Sequence, residues 1–166
     1  MSTAETQPLR KGDSTVPTGH HASPNSCWGF CYFNNIAIAI RRLIHARKIS
    51  RALIIDFDLH FGDGTSNTFT EDANVVYHHM GSVPRELENF ILRTGDFDML
   101  GVSAGFDRGV ADWGGTLSDE AYQQIGELLK HFSLEKSQGR RFAILEGGYN
   151  HTTLGASILS FVQGFK

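Results

Sequence analysis

The sequence predicts an α/β fold built around a mainly parallel β-sheet. Four short apolar runs, residues 52–55, 75–77, 99–104 and 142–145, alternate with segments of helical periodicity. Strands of a parallel sheet are buried on both faces, so they read as continuous apolar runs. Their alternation with helices is typical of βαβ units with right-handed crossovers.

Three helices are predicted from apolar residues that recur every three or four positions. Ser118 is the expected N-cap of the second helix, and Lys130 and His131 are expected in its last turn, where basic side chains are favourable. The apolar positions are Ile36, Ala39, Ile40, Leu43 and Ile44; Tyr122, Ile125, Leu128, Leu129 and Phe132; and Leu154, Ile158, Phe161 and Phe165.

The length and the charge narrow the classes of function. With 166 residues the chain fits one domain, which we expect over residues 17–166 after a polar, flexible arm at 1–16. A formal net charge of -3 argues against direct binding to nucleic acid. The sequence contains neither a run of about 18 apolar residues nor the apolar core of a signal peptide. We therefore expect no membrane partner and a cytoplasmic location.

The cysteines and three of the eight histidines are expected to have structural or surface positions. Cys27 and Cys31 argue against a disulfide framework and are predicted to be buried thiols. His45, His131 and His151 are expected on helices or at the surface.

Polar residues and glycines follow three of the four predicted strands. The first strand continues into DFDLHFGDG, the third into GFDRG and the fourth into EGGYNH. In open α/β sheets, ligands bind beyond the carboxyl ends of the strands, where the loops diverge. These three segments are therefore expected to meet at one site.

Asp58, His60 and Asp107 are the candidate metal ligands. Asp58 and His60 lie two residues apart, on one side of an extended segment, and Asp107 ends a neighbouring strand. Two carboxylates and one imidazole suit Zn²⁺ or Fe²⁺ and leave a coordination position open. An aspartate at a strand end can instead cap a helix or close a turn. Asp56 lies too far back to share the ion and is expected to orient a histidine.

Two histidine pairs could supply an acid and a base. The pair His20 and His21 lies in a glycine-led turn that could equally be an exposed polar loop. The pair His78 and His79 is a rival at the end of the second strand. Tyr149 follows two glycines and could donate a hydrogen bond to a developing oxyanion, or be a core tyrosine.

The order of these motifs resembles the zinc-dependent histone deacetylase and acetylpolyamine amidohydrolase superfamily. The resemblance implies an arginase-like, three-layer αβα fold, reduced in size. Family members have a segment before the paired histidines and an aromatic-Pro-Gly-Thr-Gly turn, and this sequence shows neither. The matching motifs are GHHA (19–22), GFCYFNN (29–35), DFDLHFGDGT (56–65), VSAGFD (102–107), WGGTLS (113–118) and EGGY (146–149).

The resemblance implies a role for each site residue. Asp58, His60 and Asp107 would bind the metal. His21, oriented by Asp63, would be the general base and then the acid, and His20, paired with Asp56, would give electrostatic support. Tyr149 would polarise the amide carbonyl. The residues expected to border the substrate are Phe30, Gly29 and Gly148.

The implied function is the removal of acetyl or other acyl groups by metal-activated water, within a deacetylase-like domain over residues 17–166. Expected substrates are acetyl-lysine peptides, acetylated polyamines and small amides, and a homo-oligomer is an expected assembly. Zn²⁺ is the expected metal, with Fe²⁺ as the alternative. A structural K⁺ near Asp56, Asp58 and His60 is also implied, although His79 stands where the family often has serine. The alternatives are a catalytically weak or inactive deacetylase-like protein that binds acyl-lysine or a partner, and an arginase-like binuclear ureohydrolase.

Overall fold

A computed structural model describes residues 18–81 and 84–166, so the predicted arm at residues 1–16 lies outside the described residues. Helices and strands alternate along most of the chain, as the sequence pattern predicts. In chain order they are α1 (Asn35–His45), β1 (Ala52–Asp56), α2 (Asp63–Phe69), β2 (Val75–His79), α3 (Pro84–Arg93), β3 (Met99–Ala104), α4 (Asp119–Ser137), β4 (Arg141–Leu145) and α5 (Leu154–Phe165).

The four strands form one parallel sheet in the order β2-β1-β3-β4. All four predicted strands are present, and the predicted α/β fold is confirmed. Asp56 at the end of β1 pairs with His79 of β2 and with Ser103 of β3. Ala104 of β3 pairs with Leu145 of β4. This register brings the carboxyl ends of all four strands to one edge of the sheet.

Helices cover both faces of the sheet and make three layers. On one face, Ile36 and Ile40 of α1 pack with Ile54 of β1, together with Phe69 of α2. On the other face, α3, α4 and α5 pack against residues of β1 and β3 such as Leu53. Alternate residues of β1 therefore enter opposite cores, which explains its continuous apolar sequence.

Two helices were not among the predicted ones. The seven residues of α2 are mostly polar, and tertiary contacts hold them: Thr65 N donates to His20 O at 3.0 Å, and Gly64 lies directly against the Ala22 backbone. In α3, Leu87 and Ile91 are four positions apart and both fully buried. The sequence of α3 therefore carries a helical signal, two apolar residues about one turn apart.

The structure corrects two predictions about single residues. Helix α4 continues to Ser137, so Lys130 and His131 lie in its interior and Lys136 is in its last turn. Cys31 is buried as expected, whereas Cys27 is exposed because the loop before α1 runs along the surface.

The surface prediction holds for His45, His131 and His151, which are all exposed. Ser118 caps α4 as predicted, because its hydroxyl accepts a hydrogen bond from Ala121 N at 3.2 Å. Within the described residues, no helix has the length and apolar character needed to cross a membrane.

Candidate active site

The three predicted metal ligands meet at the carboxyl edge of the sheet. Asp58 and His60 lie in the loop after β1, and Asp107 lies in the loop after the adjacent strand β3. One ligand atom from each lies within 4.8 Å of the other two. His60 Nδ1 is 2.9 Å from Asp107 Oδ2 and 3.2 Å from Asp58 Oδ1.

Main-chain N–H groups fix the orientation of both carboxylates. Asp58 Oδ1 accepts a hydrogen bond from His60 N, and Asp58 Oδ2 accepts one from Gly147 N, each at 2.8 Å. Asp107 Oδ1 accepts from Leu59 N at 2.9 Å. Since Gly147 follows β4, loops from three adjacent strands hold these two side chains.

Two glycines make room for the carboxylates. A Cβ atom added at Gly105 would collide with Asp58 Oδ2, and one added at Gly147 would lie 2.6 Å from the same atom. Both positions therefore exclude any larger residue unless the carboxylate moves.

The donor set fits a divalent cation. Asp107 Oδ2 is buried and makes no hydrogen bond. Burial, followed by repulsion from Asp58, raises the pKa of Asp107 to about 6. Two ligand atoms at zinc-binding distances lie about 3.4 Å apart around a tetrahedral ion, close to the separations from His60 Nδ1. A cation at this point would satisfy the orphaned oxygen and relieve the repulsion between the carboxylates.

His20 and Asp56 form a buried pair beside the candidate metal ligands. His20 Nδ1 lies 2.9 Å from Asp56 Oδ2, which also accepts a hydrogen bond from Tyr77 Oη at 2.9 Å. Burial alone would lower the pKa of His20, but the hydrogen bond and charge of Asp56, with Asp58 and Glu146, raise it to about 9. Asp56 therefore orients a histidine, and His20 carries a positive charge near neutral pH.

His21 has a different environment although it is the next residue. Its Nδ1 lies 2.6 Å from Asp63 Oδ1, which leaves Nε2 free to accept a proton. Burial and the charge of His20 lower the pKa of His21 despite the opposing effect of Asp63. The Trp28 ring lies tilted against His21, with ring centroids 4.0 Å apart, and its Nε1 donates to Asp63 Oδ2 at 2.9 Å.

Tyr149 lies at the mouth of the site and is not a core tyrosine, since it is 37% exposed. Asp112 Oδ2 accepts hydrogen bonds from Tyr149 N and Asn150 N, each at 2.7 Å. Burial and the charges of Asp58 and Asp107 raise the pKa of Tyr149 to about 12. The phenol therefore stays protonated at neutral pH.

The three predicted substrate-binding residues lie close to Tyr149 or to His21. Phe30, Gly148 and Tyr149 line a cavity of about 240 Å³. Gly29 packs against His21, with φ +58°, and Phe30 has φ +62°, a conformation that bulky residues rarely adopt. Phe30 is 81% exposed, so one side of the mouth is open.

The rival histidine pair lies away from the candidate ligand atoms. His78 stacks on Phe90 of α3 with ring centroids 3.7 Å apart. His79 Nε2 lies 2.9 Å from the main-chain oxygen of Asp58. His79 therefore supports the backbone of a candidate ligand without facing the cluster.

Asp56 and Asp58 do not fit a bound potassium ion. Asp56 Oδ2 already accepts two hydrogen bonds. The main-chain oxygen of Asp58 lies within hydrogen-bond distance of His79 Nε2 and of Arg108 Nε, at 2.9 and 3.1 Å. An oxygen with two N–H donors has no lone pair left for a cation. Asp56 Oδ2 and the main-chain oxygen of Asp58, two of the oxygens near the implied K⁺ position, are therefore occupied by donors from the chain itself.

Several residues at the site were missed by sequence reasoning. Glu146 is buried, accepts hydrogen bonds from Gly19 N and His20 N, and has a pKa raised to about 7 by burial. Its position at the end of β4 was the signal that could have identified it. The other missed residues are Trp28, Tyr77, Arg108, Asp112 and Trp113.

A profile of the histone deacetylase domain family matches residues 7–86. The chain is 34% identical to the "Probable deacetylase" of Methanothermobacter thermautotrophicus, over 89% of this chain and 56% of that protein. It is 32% identical to "Histone deacetylase 14, chloroplastic" of Arabidopsis thaliana, over 86% of this chain and 43% of that protein. The chain belongs to the histone deacetylase and acetylpolyamine amidohydrolase superfamily. It spans about half the length of these two relatives.

A polyamine deacetylase is also among the relatives in the superfamily. "Polyamine deacetylase HDAC10" of Danio rerio is 30% identical, over 93% of this chain and 29% of that protein. The superfamily thus includes relatives named for two kinds of substrate, histones and polyamines.

Proposed function

We propose that the protein is a metal-dependent amide hydrolase that removes acetyl or other acyl groups from acetyl-lysine or from acetylated polyamines and small amines. The main support is the cluster of Asp58, His60 and Asp107. It lies directly beside His20 and His21, whose pKa values are shifted in opposite directions. Paired groups whose environments separate their pKa values are typical of acid and base residues in an active site.

Asp58, His60 and Asp107 would hold Zn²⁺, with Fe²⁺ as the alternative, since two carboxylates and one imidazole suit both. When bound, such a cation supplies Lewis acidity to an amide carbonyl and to water. A single ion is expected, because the described residues contain no second such cluster. The binuclear ureohydrolase alternative therefore loses support.

His21 is the proposed general base and acid. Its lowered pKa keeps the ring neutral at pH 7, and Asp63 holds Nδ1–H, so Nε2 can take a proton from the attacking water. The same nitrogen can then return the proton to the leaving amine nitrogen. His20, protonated beside Asp56, would stabilise negative charge that develops nearby.

Tyr149 is the proposed hydrogen-bond donor to the carbonyl oxygen. Its pKa of about 12 keeps the hydroxyl proton in place, and Asp112 holds its main chain. A fixed donor of this kind stabilises the oxyanion as it forms. Phe30, Gly29 and Gly148 would border the acyl chain of the substrate.

An acyl-lysine binder without turnover is the second candidate. The observation that favours it is the open mouth, since a poorly enclosed site admits water and holds a substrate loosely.

The test is an assay of Zn²⁺-loaded and Fe²⁺-loaded protein on an acetyl-lysine peptide and on an acetylated diamine. His21→Ala is the inactive control, and His78→Ala is the matched histidine outside the cluster. Turnover that needs metal, falls about 10²–10⁴-fold in His21→Ala and persists in His78→Ala supports the hydrolase. Peptide binding with turnover no higher than in His21→Ala would favour the binder.

The domain boundaries at residues 17–166, a cytoplasmic location and a homo-oligomer remain proposals. Analytical ultracentrifugation of the purified chain would test the oligomer directly.

A further inference from the structure

Arg108 carries a buried positive charge directly behind the candidate metal ligands. Arg108 follows Asp107 in sequence and is only 5% exposed. Among the described residues, none of the ion pairs includes Arg108. A buried charge without an ionic partner is retained only where dipoles or hydrogen bonds compensate it.

The compensation comes from three main-chain carbonyl groups. Arg108 Nε donates to Phe57 O at 3.0 Å and to Asp58 O at 3.1 Å, and Nη2 donates to Met80 O at 2.9 Å. Phe57 and Asp58 follow β1, and Met80 follows β2. The guanidinium therefore joins the ends of two strands, while its own backbone continues from β3.

His79 adds to the same cluster. Its Nε2 lies 2.9 Å from Asp58 O and 3.4 Å from Arg108 Nη2. A carbonyl oxygen only accepts, so Nε2 carries a hydrogen and donates it to Asp58 O. Two donors thus fix the main chain of a residue whose carboxylate faces the candidate metal position.

A ring of carbonyl oxygens around a positive charge is also the way in which proteins bind potassium. A guanidinium presents its charge to the same acceptors through N–H donors in a rigid, planar fork. We propose that Arg108 takes the place of a structural monovalent cation in this chain and acts as a positioning residue for Asp58. Tight binding of the divalent metal then needs no added potassium. This inference rests on the metal site of the proposed function.

The test measures Zn²⁺ affinity by calorimetry in sodium, potassium and tetramethylammonium buffers of equal ionic strength. The wild-type affinity should agree within about twofold in all three, because Arg108 already supplies the cation. Arg108→Ala should bind Zn²⁺ roughly 10- to 100-fold more weakly in tetramethylammonium, the range for lost supporting contacts. Adding potassium or a few millimolar guanidinium should raise the Zn²⁺ affinity of Arg108→Ala several-fold.

Two further variants separate cation replacement from a general loss of structure. Arg108→Gln keeps an N–H donor without the charge and should also bind Zn²⁺ weakly. Arg141→Ala is the matched control, since Arg141 also donates to main-chain carbonyls, of Phe165 and Gly139, near the opposite end of β4. It should lower the melting temperature and leave Zn²⁺ affinity unchanged.

The melting temperature of the metal-free protein gives a second readout that does not depend on the proposed function. Potassium or guanidinium should raise it in Arg108→Ala and in neither the wild type nor Arg141→Ala. If the wild type binds no Zn²⁺, the proposed function fails and this measurement still tests Arg108. Zn²⁺ affinity in the wild type that rises with potassium would overturn the inference. Folded Arg108→Ala or Arg108→Gln with wild-type affinity would do the same.

Discussion

The indole ring of Trp113 stacks on the phenol ring of Tyr149, with centroids 4.0 Å apart and ring planes within 19°. Trp113 also lies edge-on to His60, at 5.9 Å between centroids. One exposed tryptophan therefore touches both a candidate metal ligand and the proposed oxyanion donor. Together with the hydrogen bond from Tyr149 N to Asp112, this stack sets the position of the phenol.

Replacing Trp113 should reduce turnover through Tyr149. Aromatic pairs contribute about 0.5–1.5 kcal/mol, so Trp113→Ala should lower kcat/KM by roughly 2- to 10-fold. Trp113→Phe keeps an aromatic ring and should retain most of the activity. Steady-state kinetics on the acetyl-lysine peptide would check this. Equal losses in the two variants would contradict a stacking role.

Asp107→Asn should weaken metal binding and stabilise the metal-free protein. The raised pKa of about 6 means that the ionised carboxylate lowers the free energy of unfolding, by about 3 kcal/mol once the pH is above 6. Asparagine removes the charge and keeps an oxygen for Leu59 N. At pH 8, Asp107→Asn should therefore show a lower Zn²⁺ affinity by calorimetry and a higher melting temperature without metal.

The control for that change lies at the other end of the same strand. Asp98 precedes β3 and accepts hydrogen bonds from Ser50 N and Arg51 N. Asp98→Asn should leave Zn²⁺ affinity unchanged and should not stabilise the protein. A similar effect on metal binding in both variants would argue against Asp107 as a ligand.

Gly105→Ala should disturb the metal site by crowding alone. The added Cβ would collide with the Asp58 carboxylate, so we expect Zn²⁺ affinity to fall at least tenfold. Gly155 in α5 has nothing within 4 Å of an added Cβ, and Gly155→Ala should be neutral or stabilising by up to about 1 kcal/mol. Calorimetry and urea unfolding of the two variants measure this contrast. Unchanged affinity in Gly105→Ala would show that the carboxylate has room to move.

The metal-free protein should lose stability as the pH rises from about 6.5 to 9. His20 has a folded pKa near 9, above its ordinary 6.5, so its contribution is complete below pH 6.5 and is lost as the pH passes 9. This shift in the pKa of His20 corresponds to about 3 kcal/mol in the free energy of unfolding. Urea unfolding in the presence of a chelator at pH 6.5 and pH 9 would measure it. His20→Gln should flatten this dependence, and an equally steep slope in that variant would exclude His20 as its source.

The sequence predicted the convergence of Asp58, His60 and Asp107 because their positions depend on strand order and on the side-chain alternation of an extended segment. Both properties are encoded locally, in apolar runs and two-residue spacing. The two histidine pairs could not be ranked as acid and base residues in this way, since the roles of His21 and His78 depend on which loops approach them.

The contacts of Trp28, Arg108 and Trp113 could not be predicted in the same way. Each joins segments far apart in sequence, and loop paths have no periodicity from which to infer a partner. Helix α2 was missed because its stability comes from contacts with the residues around His20, while its own sequence is polar. Tertiary packing overrides local propensity in such a short helix.

The hydrogen bond from Gly147 N to Asp58 Oδ2 makes the candidate site sensitive to strand alignment. A shift of β4 by one residue against β3 would carry this donor away and reverse the facing of every β4 side chain. Only chains whose sheet has the native strand register would then bind the metal ion tightly. Metal binding during refolding would thus stabilise molecules in the native register, while molecules in a shifted register would unfold and refold.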